Sequence, residues 1–172
     1  MVAPTKKAAD VTHHALNVPA ESVAALVHAH GYRWNIDGVW TRLAPGDTDA
    51  ETGRTYSRPP ETARFRGGER IVVDEAGMLD QDNALALFTV AAETGATLAP
   101  VGAWAQLPAI GRGGVLDMAA QTRGRTIDMN EVHRFTDRAH ADLAVRLRDR
   151  HDPGAIFDQL DALGLIRLDA DT

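Results

Sequence analysis

Ile71-Val72-Val73-Asp74-Glu75-Ala76-Gly77-Met78-Leu79 is the stretch on which the reading of this chain turns. Three consecutive β-branched apolar residues mark a strand covered on both faces, as in a parallel sheet. The run stops at two adjacent carboxylates. In an open parallel sheet the ligand sits beyond the carboxyl ends of the strands, so Asp74 and Glu75 are delivered to that edge.

Upstream, Met1-Val2-Ala3 reads as the end of a buried strand, and Pro4-Thr5 opens a helix to about Asn17 with Thr5 as its cap. A second helix is expected from about Ala20 to His30, stopped by Gly31. Tyr32 to Leu43 alternates around Asp37-Gly38, the signal of a two-residue hairpin turn. The segment 44–68 is loop-like, with Pro45-Gly46, Thr52-Gly53, Pro59-Pro60 and Gly67-Gly68.

Downstream, Asp80 or Asp82 caps a helix to about Thr94, ended by Gly95, and Thr97 to Val101 is a second apolar strand. A Gly/Pro-rich turn leads to a helix at about Val115–Gln121, then a short strand near Thr126–Met129. The helix from Asp137 to Asp149 sets Ala139, Leu143 and Leu147 on one stripe. Asp152-Pro153 starts the last helix, with Ile156, Leu160 and Leu163 inward, Gly164 past its end, and a final strand over Leu165 to Leu168. Helices alternating with short apolar strands make the chain an α/β protein with a mainly parallel sheet.

The 172 residues suit one domain with a sizeable core. No apolar run approaches the ~20 residues that span a bilayer, so no membrane partner is expected, and no charged-then-apolar leader opens the chain, so no secretion signal is expected. The absence of cysteine excludes disulfides and thiolate metal sites and fits a reducing compartment, with cytoplasm as the expectation. A net charge of −6 argues against broad nonspecific duplex binding but leaves room for a local basic groove. The only lysines are Lys6 and Lys7; every other basic residue is arginine.

Two neighbouring carboxylates at a sheet edge match what ATP hydrolysis needs. One holds Mg²⁺, usually through water, because magnesium dehydrates reluctantly; the other orients the attacking water and accepts its proton. Asp74 suits the first role and Glu75 the second, although on these residues alone a pair of acids capping the next turn reads equally well. Gln106, in the loop Val101–Gly114, lands on the same edge and can bridge a γ-phosphate and that water. Arg134, in Glu131-Val132-His133-Arg134-Phe135, can neutralise phosphoryl charge, or simply pair with Glu131.

Taken together, these stretches resemble helicase motifs. Ala3-Pro4-Thr5-Lys6-Lys7-Ala8-Ala9 is similar to motif Ia, Val73-Asp74-Glu75-Ala76-Gly77-Met78 to the Walker B motif, Gln106-Leu107-Pro108-Ala109-Ile110-Gly111 to motif III, and Val132-His133-Arg134-Phe135 to motif IV. Order and spacing resemble the first motor domain of RecD-like superfamily 1 helicases, and more narrowly the helicase region of MobF (TraA/TrwC-type) conjugative relaxases. The resemblance implies an incomplete RecA-like P-loop fold over 1–150, with a hairpin and loop insertion at 32–70, and the start of a following segment at 151–172. It implies ATP and Mg as cofactors and translocation on single-stranded DNA. The roles it implies are magnesium for Asp74, water activation for Glu75, γ-phosphate sensing for Gln106, a phosphate contact for Arg134, and DNA-backbone proximity for Pro4 and Thr5.

Two departures matter. No G-x-x-x-x-G-K-[ST] occurs, although such a loop and its lysine normally carry most phosphate binding; the chain is read as starting after its own nucleotide cradle. Ala103 stands where the family usually has Asp. The expectation is a helicase segment, inactive alone, whose partners are single-stranded DNA and the missing remainder of the helicase or relaxase. A non-catalytic remnant that binds single-stranded DNA or another protein is the alternative, and a different P-loop enzyme is a third, disfavoured by the motif III resemblance. Residues 54–70 mix five arginines with Tyr56 and Phe65, a composition that suits single strands, yet a solvated loop is the preferred reading. His13, His14, His28 and His30 sit at spacings that chelate poorly on helices, so zinc is not expected. Trp34, Trp40 and Trp104 are expected to serve packing.

Overall fold

A computed structural model of the protein describes residues 1–103, 114–122, 125–129, 137–149 and 152–166. They fall into two compact units, Met1–Gly124 and Arg125–Thr172. The first holds strands β1 (Val2–Ala3), β2 (Glu21–Ser22), β3 (Tyr32–Trp34), β4 (Trp40–Arg42), β5 (Arg70–Val73) and β6 (Thr97–Pro100). Its helices are α1 (Lys6–Leu16), α2 (Val23–Ala29), α3 (Gln81–Thr94) and α4 (Val115–Gln121). The second unit holds α5 (Arg138–Arg148) and α6 (Pro153–Ala162).

The expected α/β class holds. A four-stranded sheet runs in the order β2-β1-β5-β6 with every pairing parallel. Ile71 and Val73 are buried while Val72 is half-buried, so one face of β5 is covered more deeply among the described residues. That face shares its core with Val2, Val23, Leu26 and Val27, and with Leu79, Ala84 and Leu87 from the α3 side.

The helix ends follow local chemistry. Thr5 Oγ1 accepts from Ala8 N (3.1 Å) and Asp80 Oδ1 from Asn83 N (2.8 Å), so Asp80 rather than Asp82 is the cap. Gly95 ends α3 in the left-handed conformation.

Five expectations are corrected. Residues Glu21 and Ser22 are strand rather than helix: Glu21 N donates to Met1 O (3.2 Å), drawing the segment beside β1, and Ser22 caps α2 instead. The hairpin turn is one residue longer than expected. Gly38 N donates to Asn35 O and Asn35 N to Val39 O, enclosing Ile36-Asp37-Gly38 with Gly38 at φ 73°, the three-residue pattern that places glycine in the left-handed position. Residues 125–129 form no strand; Ile127 and Met129 are 85% and 80% exposed, with no ladder partner among the described residues. Among the described residues of the second unit only Leu143 and Ile156 are fully buried, while Ala139, Leu147 and Leu163 are exposed and Leu160 is half-buried. Two described helices cover only the middle of each apolar stripe. Residues 165–166 are not strand, and 167–168 lie outside the described residues.

The loop-like segment is more ordered than its composition implies. Arg33 Nε and Nη2 donate to Asp49 Oδ2 (3.2 and 2.9 Å), while Thr52 Oγ1 and Glu51 N also donate to that carboxylate. Both Arg33 and Asp49 side chains are largely removed from solvent. The Arg33 guanidinium holds the Asp49 carboxyl far below the usual carboxylate range. A folded-state pKa below the unfolded one means the stabilisation is present above the ordinary value of about 3.9 and lost as pH falls below it. The stability gap between wild type and Asp49→Asn is therefore expected to be full at neutral pH and to narrow below about pH 4. Urea unfolding at pH 7 and pH 3 measures it; a gap that is the same at both would remove the charged pair as its source.

Candidate functional site

Three loops leave the carboxyl edge of the sheet side by side. Asp74 N donates to Val2 O (2.8 Å), which sets the Asp74-Glu75 pair next to the Ala3-Pro4-Thr5 turn. Val101 N donates to Val73 O (2.8 Å), and Ala76 N to Val101 O (2.9 Å), so the loop after β6 starts against the turn after β5. The approach is backbone on backbone. A Cβ on Gly102 would lie 2.9 Å from Ala76 N, and one on Gly77 would lie 2.8 Å from Ala103 O.

Glu75 carries the most telling backbone angle. It sits at φ 51°, ψ 37° at the head of a 3-10 turn over Ala76–Met78. A non-glycine residue there costs about 1 kcal/mol or more, and such residues concentrate at functional sites. The twist breaks the strand's alternation, so the Glu75 side chain is exposed and, among the described residues, its carboxylate has no hydrogen-bond or ion-pair partner. Asp74 is half-buried and engaged at both oxygens: Oδ1 accepts from Glu75 N (3.0 Å) and Oδ2 from Thr12 Oγ1 (2.6 Å).

Asp74, Glu75, Pro4 and Thr5 are thus gathered at one sheet edge. Gln106 and Arg134 lie outside the described residues, as does Trp104. Sequence reasoning missed Thr12, which had no local signal, because its partner lies 62 residues away. Pairs of carboxylates with two or fewer protein ligands match magnesium, which is commonly held by one or two carboxylates, waters and substrate phosphates rather than by a protein cage. Among the described residues no group of three or more His, Cys, Asp or Glu forms such a cage. Asp74 and Glu75 are oxygen donors of the kind magnesium takes, one or two carboxylates completed by waters.

Several of the other sequence features take part in packing. The Tyr56 ring packs against Gly31 and its hydroxyl reaches Ala29 O at 3.4 Å, while Phe65 stacks on His30 with centroids 6.1 Å apart. His30 Nε2 donates to Ala63 O (2.9 Å) and Trp34 packs on Trp40 at 5.0 Å. No helix among the described residues is long and apolar enough to cross a membrane.

A family model described as an AAA domain matches residues 1–171. No curated protein and no solved structure matches the chain.

Proposed function

The chain belongs to the AAA domain family of P-loop ATPases, and from that premise we propose that it is a segment of an ATP-dependent DNA helicase or translocase of the RecD-like, conjugative-relaxase kind. The observation that carries this is the Asp74-Glu75 pair: one carboxylate braced, the next strained and free among the described residues, both at the carboxyl edge of a parallel sheet. In this reading Asp74 holds Mg²⁺ through water, and Glu75 orients the attacking water and takes its proton. Bound magnesium would supply charge neutralisation for the phosphates. Gln106 senses the γ-phosphate and Arg134 meets transferring phosphoryl charge, each from its place in the motif order. Pro4 and Thr5, on the same edge, face single-stranded DNA. Residues 1–150 form the motor part, with 32–70 inserted, and 151–172 begin the next segment of the protein.

This sequence contains no G-x-x-x-x-G-K-[ST], so in this reading the phosphate-gripping half is supplied by another segment. Among the described residues β6 has a strand partner on one side only. A further parallel strand paired to its free edge would release its own loop beside the loop that follows β6, on the same edge as Asp74 and Glu75. Nucleotide binding should therefore depend on that addition. The chain by itself is expected to bind Mg·ATP more weakly than about 1 mM, or about −4 kcal/mol. A version with a strand and Gly-Lys-Thr loop fused ahead of Met1 should bind at least about a hundredfold tighter. Calorimetric titration of both proteins tests this. Failure of the fused version to bind would favour a non-catalytic remnant; DNA-stimulated ATPase in the unfused chain, abolished by Glu75→Gln, would overturn the inactive-alone reading.

A further inference from the structure

Asp74 is held from two directions, and the second hold comes from a helix that the motif reading leaves without a chemical role. Thr12 lies midway along α1, is buried, and places its hydroxyl 2.6 Å from Asp74 Oδ2. A threonine inside a helix ordinarily bonds back to the carbonyl one turn earlier. Here it donates to a carboxylate on another element. Hydrogen bonds from a hydroxyl to an ionised carboxylate are short and about twice as strong as neutral ones. With Oδ1 tied to Glu75 N at 3.0 Å, the two bonds fix the plane of the carboxylate. Each oxygen keeps a second lone pair for a bound water.

We infer that Thr12 is a positioning residue, orienting the Asp74 carboxylate toward a water-bridged divalent cation. The inference rests on the ATP-site reading above. Partners that orient a metal-binding carboxylate ordinarily contribute about 10–100-fold in metal affinity. α1 also begins at the Pro4-Thr5 turn, capped by Thr5, so the helix that leaves the proposed DNA-facing turn is the one that braces the carboxylate.

The test uses Mn²⁺ alone, an oxygen-seeking stand-in for Mg²⁺, added to the ¹⁵N-labelled chain. Paramagnetic broadening of the Asp74, Glu75 and Ala76 amide signals reports binding at this site even when it is weak. Asp74→Asn should remove the broadening. Thr12→Val should raise the Mn²⁺ concentration for half-broadening about tenfold, and Thr12→Ser, which keeps the hydroxyl, should stay within about twofold of wild type. Thr12→Ala is the second hydroxyl deletion, should the valine variant fold poorly. Thermal unfolding of each variant separates the two roles, because a purely structural hydroxyl would lower the transition without moving the titration. If Asp74→Asn abolishes the effect and both hydroxyl deletions titrate like wild type, the positioning role is overturned while the site stands. Broadening that survives Asp74→Asn would sink the ATP-site reading, and the role of Thr12 with it.

Discussion

In a version of the chain supplied with a Gly-Lys-Thr phosphate loop, Glu75→Gln is expected to slow ATP turnover about 10²–10⁴-fold while leaving ATP affinity within a few-fold. The substitution keeps the size and hydrogen-bonding reach of the side chain but removes its capacity to take a proton. It should also keep the backbone, since the left-handed geometry at φ 51° is enforced by the turn over Ala76–Met78 and not by the carboxylate. The carboxylate has no partner among the described residues, so neutralising it strands no buried charge. Asp74→Asn should behave differently. Its oxygens are engaged with Thr12 and Glu75 N, and its loss should appear first in magnesium-dependent nucleotide affinity. Single-turnover rates and binding constants measured on both variants separate the roles. If Glu75→Gln retains turnover within about tenfold of the parent, Glu75 is not the general base.

Parts of this site are legible in the sequence because their signals are local. The Ile71–Val73 run, the Thr5 cap, Gly95 and the carboxylates that end β5 each depend on neighbouring residues, and the structure places them as expected. Parts that depend on distant partners are not legible. β2 is two residues long and exists because Met1 O accepts from Glu21 N, an attachment invisible to periodicity, which extends α2 over it. Asp49 looks like one acid among several in a loop, yet it meets Arg33 across sixteen positions and becomes a buried anchor. Thr12 is the sharpest case: one polar residue on an amphipathic helix, given meaning only by Asp74. The strand expected at Thr126–Met129 fails for the converse reason, since β-branched residues make a strand only where a ladder exists to join.

The close contact between the two edge turns gives the second large effect. Gly102→Ala is expected to destabilise the protein by about 2–3 kcal/mol, toward the upper end for overpacking. The atoms a Cβ would meet are Ala76 N at 2.9 Å, Gly77 N at 3.1 Å and Glu75 C at 3.4 Å. All are backbone, so no flexible side chain can swing aside, and the two turns must separate. The hydrogen bond from Ala76 N to Val101 O, 2.9 Å long, spans the same gap and would stretch. Function should suffer beyond stability. The loop that begins at Gly102 leads to Gln106, and a shift of about 1 Å in its origin relative to Glu75 can cost on the order of a hundredfold in turnover. Gly67→Ala is the matched control: nothing lies within 4 Å of its Cβ position, and its backbone is not in the left-handed region. Denaturant midpoints for the two variants, with turnover measured in the loop-supplied version, decide the matter. Equal midpoints would mean that the turns after β5 and β6 are not packed as described.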